Sequence, residues 1–122
     1  MKRKFKILIL MTAMLVISNL LNAQTLDAKK FVGFWTTDAS TTRLVFFIDK
    51  NDKLQLVEWS SDGGEEMDIM ELKVFSNKIK TTERFKSTNH VTYNDYILVD
   101  ENTLKNIING DANTTIYFKR LK

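Results

Sequence analysis

The sequence predicts an all-β domain, an eight-stranded antiparallel up-and-down barrel, and three observations predict it. From Gln24 onward, short apolar runs recur every 8–14 residues between polar turn residues, with no long helical periodicity. The chain contains no proline to interrupt a strand. No connection is long enough to hold a crossover helix, so sequential strands pair antiparallel. Closing such a meander into a ring removes both unpaired sheet edges, which otherwise invite aggregation. A two-layer sandwich is the competing arrangement of the same strands.

The elements follow in order. Asp27 to Val32 reads as one helical turn capped by Asp27. Strand 1 is expected at 33–37, strand 2 at 43–49 and strand 3 at 53–60, with Lys50-Asn51-Asp52 turning between the last two. A loop containing Asp62, Gly63, Gly64 and Glu65 leads to strand 4 at 67–75. Ser76-Asn77 forms a two-residue hairpin into strand 5 at 78–86. Strand 6 spans 91–99, strand 7 spans 103–108 and strand 8 spans 114–121, with Asn109-Gly110 as the strongest turn signal.

Alternation sets the expected facing. Val74 opposite Ile79 places Met70, Leu72 and Val74 on one face with Ile79, Thr81, Glu83 and Phe85. Ile48 opposite Leu54 groups Leu44, Phe46 and Ile48 with Leu54, Leu56 and Glu58. The other face of strands 2 and 3 is also apolar, carrying Val45, Phe47, Val57 and Trp59. Either the barrel has an outward apolar patch or the register is reversed.

Residues 1–23 have the order of a secretory signal: a basic start at Lys2, Arg3, Lys4 and Lys6, an apolar run from Ile7 to Ile17 broken by Thr12, and a polar tail ending at Ala23. The run is shorter than the about 20 apolar residues of a membrane span. Leu21 stands where a small residue is usual before a cleavage site, and an uncleaved N-terminal anchor is the other reading. The expected domains are therefore a signal peptide at 1–23 and a barrel at 24–122. The mature protein is expected in the periplasm or outside the cell, with no membrane anchor. Of the 18 basic and 15 acidic residues, four basic and no acidic ones lie in 1–23, so the remainder carries a formal −1. The basic balance of the whole chain thus belongs to the leader and argues for no nucleic-acid partner. With no cysteine, disulfides, thiolate metal sites and a lipidated cysteine are excluded.

Gly33-Phe34-Trp35 follows the helical turn and opens the first strand. This resembles the Gly-x-Trp start of the lipocalin and calycin barrels, and the order of features resembles the small bacterial lipocalin-like domains. The resemblance implies that Trp35 lies across one barrel end and that Arg120, on the last strand, packs upon it. Gly33, Trp35 and Arg120 are the expected barrel-closing residues. The physical reading agrees: a glycine allows close passage of another segment, and a guanidinium on an indole adds about 0.5–2 kcal/mol. Avidin-type barrels share this outline, but no residue pattern here points to biotin.

No catalytic centre is readable. His90, the sole histidine, falls in a turn with Ser87, Thr88 and Asn89, and no nucleophile or orienting acid is visible around it. One histidine and no cysteine argue against zinc. Asp49-Lys50-Asn51-Asp52 begins like a calcium loop, but Lys53, Leu54 and Ser60 stand where such a loop needs an oxygen ligand, a glycine and a glutamate. No metal, cofactor or enzymatic activity is expected. Glu58 and Glu83 fall on the interior face, either near an open end where they reach water or a basic partner, or poised to bond a polar ligand. Phe46, Glu58, Thr81, Glu83, Phe85, Tyr93 and Tyr117 are the candidate ligand-lining residues. A small apolar or amphipathic ligand in the barrel is the first expectation for function. A solid-core module that docks an envelope protein through the surplus apolar face is the second.

Overall fold

The computed structural model describes residues 27–110 and 113–122. The leader expected at 1–23 lies outside them. Eight strands follow in order: β1 (Gly33–Thr36), β2 (Thr42–Ile48), β3 (Leu54–Ser60), β4 (Asp68–Val74), β5 (Lys78–Arg84), β6 (Val91–Asp100), β7 (Thr103–Asn109) and β8 (Thr114–Arg120). They form one antiparallel sheet in the order β3-β2-β1-β8-β7-β6-β5-β4. The chain is thus an up-and-down meander whose first strand also pairs with its last, Trp35 opposite Arg120. The barrel is nearly closed. Its seam lies between β3 and β4, where the Met67 N–H donates to the Glu58 carbonyl at 3.0 Å.

The register follows the hairpins. Ile48 pairs with Leu54 and Val74 with Ile79, as alternation predicts. The polar turn at 50–52 is held by Asp49, whose carboxylate accepts the Asn51 and Lys53 N–H groups at 2.8 and 3.0 Å. Asp52 takes the left-handed conformation there, with φ 59°, which an aspartate tolerates in a turn. Asn109 still pairs with Tyr93, so of the predicted Asn-Gly turn only Gly110 lies beyond the strand. Asp27 sits within the helical turn instead of capping it, and its carboxylate meets Lys30 at 3.6 Å.

Two expectations of facing need correction. A bulge between Ile69 and Glu71 shifts β4 by one residue, so Ile69 packs against the core and Met70 faces solvent. One extra residue in a strand reverses the alternation beyond it. On β6 and β8 the inner face belongs to Tyr96 and Phe118, so the candidate lining residues Tyr93 and Tyr117 face outward, 59% and 52% exposed. Each is an odd number of residues from the buried position on its strand, and alternation sends it to the opposite face.

Phe31, Trp35, Leu44, Phe46, Ile79, Tyr96, Leu104 and Phe118 are the largest buried apolar side chains. Phe31 and Phe46 pack at 5.9 Å between ring centroids, and the Phe46 and Tyr96 rings meet edge to face at 5.5 Å. Such pairs add about 0.5–1.5 kcal/mol beyond their area.

Candidate functional site at the open end of the barrel

One end of the barrel is sealed. Trp35 is fully buried, and its indole N–H donates to the Phe31 carbonyl at 2.9 Å. The Arg120 guanidinium lies 4.3 Å above the ring. It also donates to the carbonyls of Val32, of Lys30 at 2.8 Å and of Glu101 at 3.1 Å. One side chain thus stacks on the plug and satisfies carbonyls left free at the end of the helical turn. Gly33 makes the approach possible. Its φ is +146°, and a Cβ there would stand 2.5 Å from an Arg120 guanidinium nitrogen. Gly33, Trp35 and Arg120 therefore meet in one contact.

The opposite end is different in chemistry. Here the inner face carries Glu58 from β3, Thr81 and Glu83 from β5, Thr92 and Asn94 from β6, and Asn106 from β7. The Tyr96 hydroxyl donates to Glu83 Oε2 at 2.7 Å and approaches Glu58 Oε2 at 3.4 Å. The Thr81 hydroxyl donates to the same Glu83 oxygen. Asn106 Nδ2 donates to Asn94 Oδ1 at 3.2 Å, and Asn94 Nδ2 donates to the Thr92 hydroxyl at 3.0 Å. Tyr96 joins the two halves of the interior: its ring belongs to the aromatic stack and its hydroxyl to the acid pair.

Glu83 is only 1% exposed. Burial raises the Glu58 carboxyl well above its ordinary range, and the hydrogen bond and charge of neighbouring Glu83 raise it further, while the Tyr96 hydroxyl opposes them. Burial beside a second acid thus favours the protonated form of Glu58. The Tyr96 phenol is likewise pushed well up by burial, then by the charges of Glu58 and Glu83, and stays a donor. No lysine, arginine or histidine forms a salt bridge with either acid among the described residues.

A cavity of about 180 Å³ opens above this pair. Glu58, Glu83, Thr92, Asn94, Met67 and Phe85 are among its lining residues. Of the candidate lining residues, Glu58, Glu83 and Phe85 meet there, with Thr81 directly behind Glu83. Phe85 sits at the rim, half exposed, stacked on His90 at 6.2 Å. Phe46 is buried in the aromatic core, outside this cavity. Sequence reasoning missed Thr92, Asn94, Tyr96 and Asn106 as interior residues. The register of β5 could have found them, because Glu83 facing inward carries Thr92 with it across the hairpin, then Asn94 and Tyr96 by alternation.

A larger groove, about 710 Å³, runs along the seam near the plugged end, lined by residues of the β2–β3 turn, of β3 and of β4, with Ala28. On the outside, Phe34 and Trp59 meet edge to face at 5.4 Å, and Phe34 and Phe47 are 37% and 38% exposed. Val45 pairs with both Phe34 and Val57, so the surplus apolar residues of β2 and β3 form an outward patch in the register that alternation predicts.

No family model matches the chain, and neither a curated protein nor a solved structure matches it.

Proposed function

We propose that this domain is a lipocalin-like module that binds a small molecule at the open end of its barrel. The observation that carries the reading is the contrast along the interior: a sealed, apolar end and an open end where polar side chains surround a cavity. Pockets typically combine apolar walls with a few placed polar groups, and Met67 and Phe85 beside Glu58, Glu83 and Asn94 have that composition. The polar lining moves the expected ligand away from a purely apolar one and toward one with a polar head. The role is binding, with no chemical step.

Native mass spectrometry of the protein after incubation with small-metabolite and envelope-lipid extracts tests the reading. A retained molecule that is lost from Thr92→Trp, which fills the cavity, is the expected result. Equal retention by both proteins places the ligand elsewhere. A second reading rests on the outward patch of Phe34, Val45, Phe47, Val57 and Trp59, a surface suited to an envelope protein partner. Export through the leader belongs to both readings. N-terminal sequencing of the protein from envelope and culture fractions tests it, with Gln24 as the expected first residue.

A further inference from the structure

We infer that the open end takes a small organic cation bearing N–H groups, an alkylammonium, through the paired carboxyls of Glu58 and Glu83. The inference rests on the proposed binding site and names the class of ligand it suits. Its starting point is an unbalanced feature. Two acids stand together inside the barrel, and no basic side chain among the described residues is paired with either. Buried carboxylates are costly unless paired, and structures that keep them usually supply a cation. Here the cavity opens on the side where that cation would stand.

The lining fits an ammonium better than the alternatives. An ammonium has three donors and no acceptor. Glu83 already receives two donors on Oε2, from Tyr96 and Thr81, so its carboxylate is held in place before a ligand arrives. An anion would meet two acids. A quaternary ammonium offers no N–H to either of them. Met67 and Phe85 give an alkyl tail apolar surface, and the Phe85 ring at the rim suits a cation passing inward. The about 180 Å³ of space limits the ligand to a short chain.

Binding is coupled to protons. The groups that face the cavity and titrate are Glu58 from β3, Glu65 from the β3–β4 loop and Glu83 from β5, with Tyr96 of β6 behind them and His90 stacked on Phe85 at the rim. Glu65 is already engaged, accepting the Ser87 N–H and hydroxyl at 3.0 and 2.7 Å. The raised Glu58 carboxyl keeps a proton that the incoming cation displaces to solvent. Affinity therefore rises with pH as Glu58 gives up that proton.

Titration calorimetry with n-butylammonium, tetramethylammonium, n-butanol and butyrate, at pH 5 and pH 8, tests this on the full protein. Butylammonium is expected to bind, more tightly at pH 8, with proton release visible as a dependence of heat on buffer. Glu83→Gln is expected to weaken it roughly 10- to 100-fold, the loss typical of a charge-assisted hydrogen bond. Glu58→Gln, at a less buried position, serves if Glu83→Gln fails to fold, and it is expected to remove the pH dependence as well. Binding of butanol as tight as butylammonium overturns the inference, and so does undiminished butylammonium binding by a folded Glu58→Gln protein. If butanol or butyrate binds in a manner abolished by Thr92→Trp while the ammonium does not, the cation assignment fails and the binding site stands. If none of the four probes binds, the cation assignment fails, while a molecule retained from the extracts and lost from Thr92→Trp keeps the binding site.

Discussion

The two ends of the barrel use charge in opposite ways. At the sealed end a single cation, Arg120, is fully employed: it covers an indole and donates to three carbonyls. At the open end two acids, Glu58 and Glu83, share the Tyr96 hydroxyl, Glu83 also accepts from Thr81, and neither pairs with a cation among the described residues. The first arrangement satisfies every group it buries and stabilises the fold. The second leaves capacity unused beside a cavity. The contrast teaches that buried polar groups differ in consequence according to whether their partners are already present.

Substitutions can break this contrast in a graded way. Trp35→Ala has the largest expected effect, a loss of about 3–5 kcal/mol in chemical denaturation, because it empties the plug of a fully buried ring. A near-unchanged unfolding midpoint would remove the sealing role. Arg120→Ala is expected to cost about 2–4 kcal/mol through lost cation–π attraction and unpaired carbonyls. Arg120→Lys should recover only part of that, since an ammonium cannot reproduce the fork. Gly33→Ala follows at about 1–3 kcal/mol, from a strained φ and a Cβ pressed on the guanidinium.

The open end responds in the other direction. Glu58 is held above its ordinary value of 4.5, so its contribution to stability is fully present below that pH and is lost as pH rises through the raised folded value. Melting temperature should therefore fall from pH 4.5 upward in this window. Glu58→Gln should flatten the profile and melt higher than the parent at its alkaline side. Thermal scans across pH measure this smallest effect, and a profile unchanged by the substitution would contradict a raised Glu58 carboxyl.

Much of this architecture is legible from residue order. The eight strands, the Ile48–Leu54 and Val74–Ile79 pairings and the inward Glu58 and Glu83 follow from turns and period-two alternation, while alternation alone left the facing of Val45, Phe47, Val57 and Trp59 open. What escapes has a physical cause. The bulge at Met70 changes facing without any glycine or turn residue to announce it. On β6 the usual rule inverts, since Thr92 and Asn94 face the interior while Tyr93 and Ile97 lie on the outer side. The interior near the open end is polar, so hydrophobicity points the wrong way there. The joint role of Tyr96 depends on β3 and β5 meeting across the barrel, a relation that no local pattern encodes.

The seam gives Glu58 two duties. Its main-chain oxygen accepts the Met67 bond that bridges β3 and β4, while its side chain stands beside Glu83. Whatever parts those two strands also draws one acid away from the other. A guest that holds the two acids together would thereby favour the latched wall, and slowed deuterium uptake at the Met67 amide would register it.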